Sequence, residues 1–145
     1  MKILLDTNIC IYLINPRSAH REVVRGHFMA RQPGDIGIST ITLAELEYGV
    51  ENSTQQERNR QALTEFLIPL EILPFDELAS AIYGKIRTAL RNQPIGPLDM
   101  LIAAHALALE VPLVTNNTSE FERVPNLTLQ NWTIPTRGRM KSKTR

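Results

Sequence analysis

Ile3-Leu4-Leu5-Asp6-Thr7-Asn8 opens the chain with three consecutive apolar residues, then an acid and two small polar residues. A short unbroken apolar run reads as a strand buried on both faces, the pattern of a parallel sheet. Asp6 then stands at the carboxyl end of that strand, where open α/β sheets carry their reactive groups. Ile9 to Ile14 continue in a helical register, and Asn15-Pro16 ends that helix. The opening unit is therefore a strand, an acid and a helix.

The same alternation recurs downstream. Residues 19–31 read as a second helix closed by Pro33-Gly34, and Ile36–Ser39 as a second strand. Thr42 opens a helix to about Val50, with Glu45 completing a capping box. Thr54 and Glu57 form a second capping-box pattern before a helix to about Leu67, and Glu71–Leu73 is a third, short strand. Asp76 caps a long helix with Leu78, Ile82, Ile86 and Leu90 at spacings of four. Pro97 sits as the first residue of a helix to about Leu109. Pro112–Val114 is a fourth strand, and Leu127–Leu129 a weaker fifth. Strands alternating with helices predict an α/β fold with a mainly parallel sheet of four to five strands and right-handed crossovers.

The length of 145 residues suits one domain with a core of its own. A single cysteine, Cys10, permits no internal disulfide and fits a reducing compartment. No apolar run reaches the roughly 18 residues of a membrane span, and the N-terminal apolar run is too short for a signal peptide. A cytoplasmic protein with no membrane contact is expected. The net charge of +1 conceals an asymmetry: Thr136 to Arg145 holds five basic residues and no acid. Before it, eleven basic residues face fifteen acidic ones, a net charge of −4. The domain is placed at 1–134 and a flexible basic tail at 135–145. Such a tail reads either as a phosphate-contacting arm or as a solvated end.

Each conspicuous acid has two readings. Asp6 is placed to bind a cation or to cap the helix that follows. Glu45 belongs either to a site or to its capping box with Thr42. Asp99, third residue of the helix from Pro97, serves a site or simply answers the helix dipole. Converging carboxylates would suit a hard divalent cation such as magnesium, with manganese as a substitute. Other chemistries lack their residues. His20, His27 and His105 have no zinc spacing, and His105 lies on an apolar helical stripe. Cys10 has no partner base, and there is no glycine-rich phosphate loop or Gly-x-Ser-x-Gly elbow.

Four motifs decide among these readings. Leu4-Leu5-Asp6-Thr7-Asn8, Ser39-x-x-Thr42-x-x-Glu45-Leu46, Ile95-Gly96-Pro97-Leu98-Asp99-x-x-Ile102-Ala103-Ala104-His105-Ala106 and Val114-Thr115-Asn116-Asn117-x-x-Glu120-Phe121 occur in that order. Together they resemble the four motifs of the PIN-domain ribonucleases, from Met1 to about Trp132, and most of all the VapC toxins of type II toxin–antitoxin pairs. The resemblance implies a three-layer α/β/α sandwich and a metal-dependent endoribonuclease working through a metal-activated water. It implies Asp6 and Asp99 as magnesium ligands, with Glu45 completing the acidic pocket. Thr7, Asn8, Thr115 and Asn116 would support the carboxylates. Many relatives carry a fourth aspartate where this chain has Asn116 and Asn117, and Glu120 is the nearest substitute.

The resemblance further implies a tRNA substrate, with the anticodon stem-loop of initiator tRNA as one instance. It also implies a small DNA-binding antitoxin and a homodimer, for which the helices near 41–67 offer apolar faces. Arg17, Arg21, Arg25, Lys85, Arg87, Arg91 and Arg123 are candidates to bring phosphate to the rim. Two rivals stand beside this reading. A haloacid-dehalogenase-like phosphatase needs a second acid at position 8, which is Asn. A catalytically inactive PIN-like module would bind RNA or a partner without cutting.

Overall fold

The computed structural model describes residues 1–135, so the basic segment from Thr136 onward lies outside the described residues. Its elements run β1 (Ile3–Leu5), α1 (Thr7–Ile14), α2 (Arg21–Met29), β2 (Ile36–Ser39), α3 (Thr40–Glu51), α4 (Gln56–Leu67) and β3 (Glu71–Leu73). Then follow α5 (Glu77–Ala89), α6 (Pro97–Leu109), β4 (Leu113–Val114), α7 (Thr118–Phe121) and β5 (Leu129–Gln130). The sheet order is β3-β2-β1-β4-β5, and every pairing is parallel. The opening strand is thus the middle of the sheet, with Leu4 opposite Gly37 on one side and Leu113 on the other.

Alternation along β1 divides the interior into two cores. Ile3 and Leu5 pack with Ile9, Val24, Ile38, Leu46, Val50 and Leu63 under α1–α4. Leu4 points the other way and packs with Ile86, Met100, Ile102 and Phe121 under α5 and α6. Helices on both faces of a parallel sheet make the three-layer α/β/α sandwich expected. The chain leaves β1 toward α1 on one face, while β2 and β4 flank it on opposite sides. That arrangement opens a crevice at the carboxyl ends of β1 and β4, a topological switch point. Gly37 is required by close approach: a Cβ there would lie 2.9 Å from side-chain atoms of Leu73 and Met1.

Several expected boundaries move. The third helix starts at Thr40 because Ser39 caps it, accepting the Ile41 N–H at 3.0 Å. Thr42 then falls inside the first turn, fully buried, and no Thr42–Glu45 capping box forms. The Thr54–Glu57 box is also absent: α4 begins at Gln56, and Gln55 at its N-cap makes no side-chain capping bond. On α5, Leu78 is 57% exposed while Ile86 and Leu90 are buried. Spacings of four overrun a 3.6-residue turn, and three such steps carry Leu78 about 120° off the buried face. β5 sits at Leu129–Gln130, beyond the turn at Asn126, whose φ is 68°. The cap on α5 is as read from the sequence, Asp76 accepting the Ala79 N–H at 3.0 Å.

Candidate active site

Asp6 leaves β1 at its carboxyl end and is 4% exposed. One oxygen accepts the Thr7 N–H at 2.8 Å, capping α1, and the other accepts the Thr115 hydroxyl at 2.7 Å. Thr115 directly follows β4, the strand paired with β1 through Leu5 and Val114, so the sheet itself sets this contact. The Thr115 oxygen in turn accepts the Asn117 N–H at 2.9 Å. On the other side, the Thr7 hydroxyl donates to Glu45 Oε1 at 2.6 Å and lies 3.2 Å from Thr42 Oγ1. The N-terminal turn of α1 thereby ties Asp6 to the carboxylate carried by α3.

The remaining two acids come from the C-terminal half. Asp99 lies in the first turn of α6, after Gly96 at the N-cap and Pro97 at the first helical position. A Cβ on Gly96 would lie 3.4 Å from Asp99 Oδ2, in ordinary contact, so this carboxylate stands directly beside the N-cap. Glu120 is carried by the short helix α7, and its Oε2 accepts the Asn117 amide N–H at 2.6 Å.

The carboxylates act on one another. Burial raises the Asp99 carboxyl to about 6, with the charges of Asp6, Glu120 and Glu45 adding to the rise. Burial also raises Asp6; its hydrogen bonds from Thr115 and Thr7 oppose that, and the Glu45 charge adds to it. The ion pairs among the described residues, Met1 with Glu71 and Arg60 with Glu47 and Glu51, leave all four acids out. Among the described residues no three of these groups stand close enough to form a closed cation cage. The set offers only oxygen donors and an excess of negative charge. This suits a hard divalent ion that keeps several waters and takes one or two carboxylates, not a thiolate- or imidazole-bound metal.

A PIN-domain model matches residues 3–127. The Ribonuclease VapC2 of Rickettsia felis is 46% identical over 133 residues, spanning 89% of this chain and 96% of the relative. The tRNA(fMet)-specific endonuclease VapC of Shigella flexneri is 42% identical over 134 residues, 91% of this chain and 98% of the relative. The chain belongs to the PIN-domain family, among its VapC ribonucleases. Solved relatives have the same architecture. The VapBC2 complex of Rickettsia felis, bound to a promoter DNA fragment, has a chain superposing with a TM-score of 0.83 at 43% identity, over 91% of this chain and 99% of that one. The DNA-bound VapBC of Salmonella typhimurium gives 0.83 at 40% identity, over 91% and 98%. VapC ribonucleases of the PIN family depend on a divalent metal ion.

Within this VapC ribonuclease the structure gathers Asp6, Glu45, Asp99 and Glu120, and it sets Thr7 and Thr115 against two of them. Asn8 makes no such contact, and its Oδ1 is buried without a hydrogen-bond partner among the described residues. Asn116 departs from the expected supporting role. Its amide donates to the Tyr12 hydroxyl at 3.0 Å and accepts from Thr133 and Asn131. Successive residues leaving a strand point to opposite sides, so Thr115 and Asn117 face the carboxylates and Asn116 faces away. Asn117 does the positioning instead, through its bond to Glu120. Thr42 meets Thr7 rather than capping α3.

The basic rim is partly committed to local acceptors. Arg21 donates to Leu13 O, Arg87 to the Tyr83 hydroxyl, Arg91 to Thr88 O and Arg123 to Pro94 O, just ahead of the Asp99 segment. Arg17, Arg25 and Lys85 are exposed. Arg17 and Arg21 border a groove of about 680 Å³ between α1, α3 and α4 that reaches the acidic site only at Glu45.

Proposed function

We propose that this ribonuclease uses magnesium, with manganese as a working substitute, and cleaves tRNA as the toxin of a toxin–antitoxin pair. The observation that carries the reading is Asp99, raised to about 6 by burial and by the charges of Asp6, Glu120 and Glu45, which come from three other segments. Asp6 and Asp99 are the residues that would hold the ion, with Glu45 and Glu120 completing the pocket. Bound there, the ion supplies Lewis acidity at the scissile phosphate.

The protein's own groups hold the geometry. Thr115 and the Thr7 N–H fix both oxygens of Asp6, so it meets a ligand without first reorganising. Thr7 holds one oxygen of Glu45 and leaves the other to take a proton from the attacking water. Asn117 holds Glu120 at the opposite side, which supports an active site over an inert binding module. The histidines support water rather than the RNA 2′-hydroxyl as nucleophile. His105 is bonded to Ser39, His27 stacks on Trp132, and His20 lies against Tyr12, so no two form an acid–base pair. The products then carry 5′-phosphate and 3′-hydroxyl ends.

The tRNA assignment rests on the Shigella relative named for tRNA(fMet), which makes the initiator tRNA anticodon stem-loop the first target to try. The antitoxin assignment rests on relatives solved as VapBC complexes with DNA. The groove beside Glu45, floored by Leu46, Val50 and Leu63, suits an apolar segment of that antitoxin. Self-association through α3 and the end of α4 is supported by Tyr48 and Ile68, 68% and 78% exposed. No helix among the described residues is long and apolar enough to cross a membrane.

Incubating purified protein with unfractionated tRNA tests the reading. Cleavage is expected with magnesium or manganese and not with chelator. Cleavage in chelator, or 2′,3′-cyclic phosphate ends, would overturn it.

A further inference from the structure

His105 is 1% exposed, yet its ring is polar and the chemistry above does not use it. It lies on α6, the helix that carries Asp99 in its first turn. Its Nδ1 is 2.8 Å from Ser39 Oγ. Ser39 ends β2, and the same oxygen caps α3 by accepting the Ile41 N–H at 3.0 Å. A serine hydroxyl can accept one bond and donate another, so with Ile41 donating to it, its own proton is available to Nδ1. Phe75 packs on the ring in a T-shaped pair, centroids 5.5 Å apart at 77°, and the Phe75 N–H donates to Thr40 Oγ1, one residue past Ser39. Burial lowers the imidazole from its usual range, and the charge of Asp76 opposes that.

These contacts bind two helices that carry different sides of the acidic site. Thr42 and Glu45 follow Ser39 on α3, and Asp99 precedes His105 on α6. We propose that His105 is a positioning residue that, through Ser39, locks the start of α3, and with it Thr42 and Glu45 further along that helix, to the helix bearing Asp99. The inference rests on the carboxylate site proposed above. An apolar side chain of similar bulk would fill the same space without making the lock, and that difference is measurable.

The test compares His105→Leu with His105→Asn in the full chain. Leucine fills the cavity and makes no bond to Ser39, whereas asparagine leaves a cavity but places an amide near the Nδ1 position. Single-turnover cleavage of unfractionated tRNA with magnesium separates the rate at saturating enzyme from the half-saturating enzyme concentration. His105→Leu is expected to lower the saturating rate roughly tenfold to a hundredfold, the usual scale for misplacement by about 1 Å, with half-saturation unchanged. His105→Asn is expected to recover most of that rate even though its melting temperature is the lower of the two, because its cavity is the larger. Amide hydrogen exchange, which needs no metal and no RNA, should show the Ile41 N–H exchanging faster in His105→Leu than in His105→Asn. In a Ser39→Ala background, adding His105→Leu should change the rate little. Activity that instead follows melting temperature across the variants, or equal Ile41 protection in both, overturns the proposal. A wild-type chain inert with magnesium overturns the underlying site as well, and exchange then judges the lock separately.

Discussion

Asp6 and Asp99 occupy the same crevice and are built in opposite ways. Asp6 is buried, both its oxygens accept hydrogen bonds, and it caps a helix. Asp99 is half-buried, and no side-chain hydrogen bond to it occurs among the described residues. One carboxylate is a fixture that the fold completes by itself. The other is held close to three negative charges and left unsatisfied until something positive arrives. The difference teaches how one crevice can hold a fixed acid beside an open one.

The sharpest way to break the comparison is to neutralise each acid in turn. Asp99→Asn should reduce magnesium-dependent tRNA cleavage by at least about a thousandfold, since it removes transition-state charge stabilisation at the metal. In chelator its melting temperature should rise, because it removes one of several repelling charges. Asp6→Asn should lose activity to the same degree without that gain, since its bonds to Thr115 and Thr7 favour the carboxylate. A fall in melting temperature for Asp99→Asn would show Asp99 to be a structural residue.

The next effect is on stability against pH. The folded Asp99 carboxyl sits at about 6 against 3.8 for the ordinary group, so between those values the folded state binds more protons than the unfolded. Stability in chelator should therefore fall as pH rises from about 4 to about 6. Asp99→Asn should flatten that slope, and added magnesium should recover stability above pH 6 by binding the folded state alone. Chemical denaturation at fixed pH steps, with and without magnesium, reads both effects.

Thr115→Val attacks the fixture rather than the open acid. It keeps the shape but leaves Asp6 Oδ2 and the Asn117 N–H unpaired, at a cost of about 1–3 kcal/mol in folding stability for each buried group lost. The smallest effect belongs to Asn117→Ala. It frees Glu120 and should slow cleavage by roughly tenfold, the low end of the scale of lost support around a metal site, without changing the melting temperature by more than a few degrees.

The same contrast explains what could be read in advance. Asp6 was legible because an acid after a buried three-residue strand is a local pattern, and the motif around Asp99 is continuous over one helix start. The parallel sheet and β1–β3 follow from periodicity, while the three layers come from the resemblance of the four motifs. Thr42 was misread because its role depends on Ser39 capping α3 first, a competition among neighbouring hydroxyls that spacing does not settle. Asn116 and Asn117 are the same residue type side by side. Only the direction in which the chain leaves β4 gives one to Tyr12 and the other to Glu120. His105 looked like any residue on an apolar stripe, because its partner lies 66 positions away.

The central strand has a consequence for the order in which the molecule comes into being. β1 is made first, but its neighbour β4 and the hydroxyl of Thr115 arrive 109 residues later. A chain emerging from the ribosome carries Asp6 for most of its synthesis with one side of the sheet open and two of the four acids still unmade. Contacts this distant in sequence form late. A ribonuclease of this build therefore completes its acidic crevice only once β4 and α7 have been made.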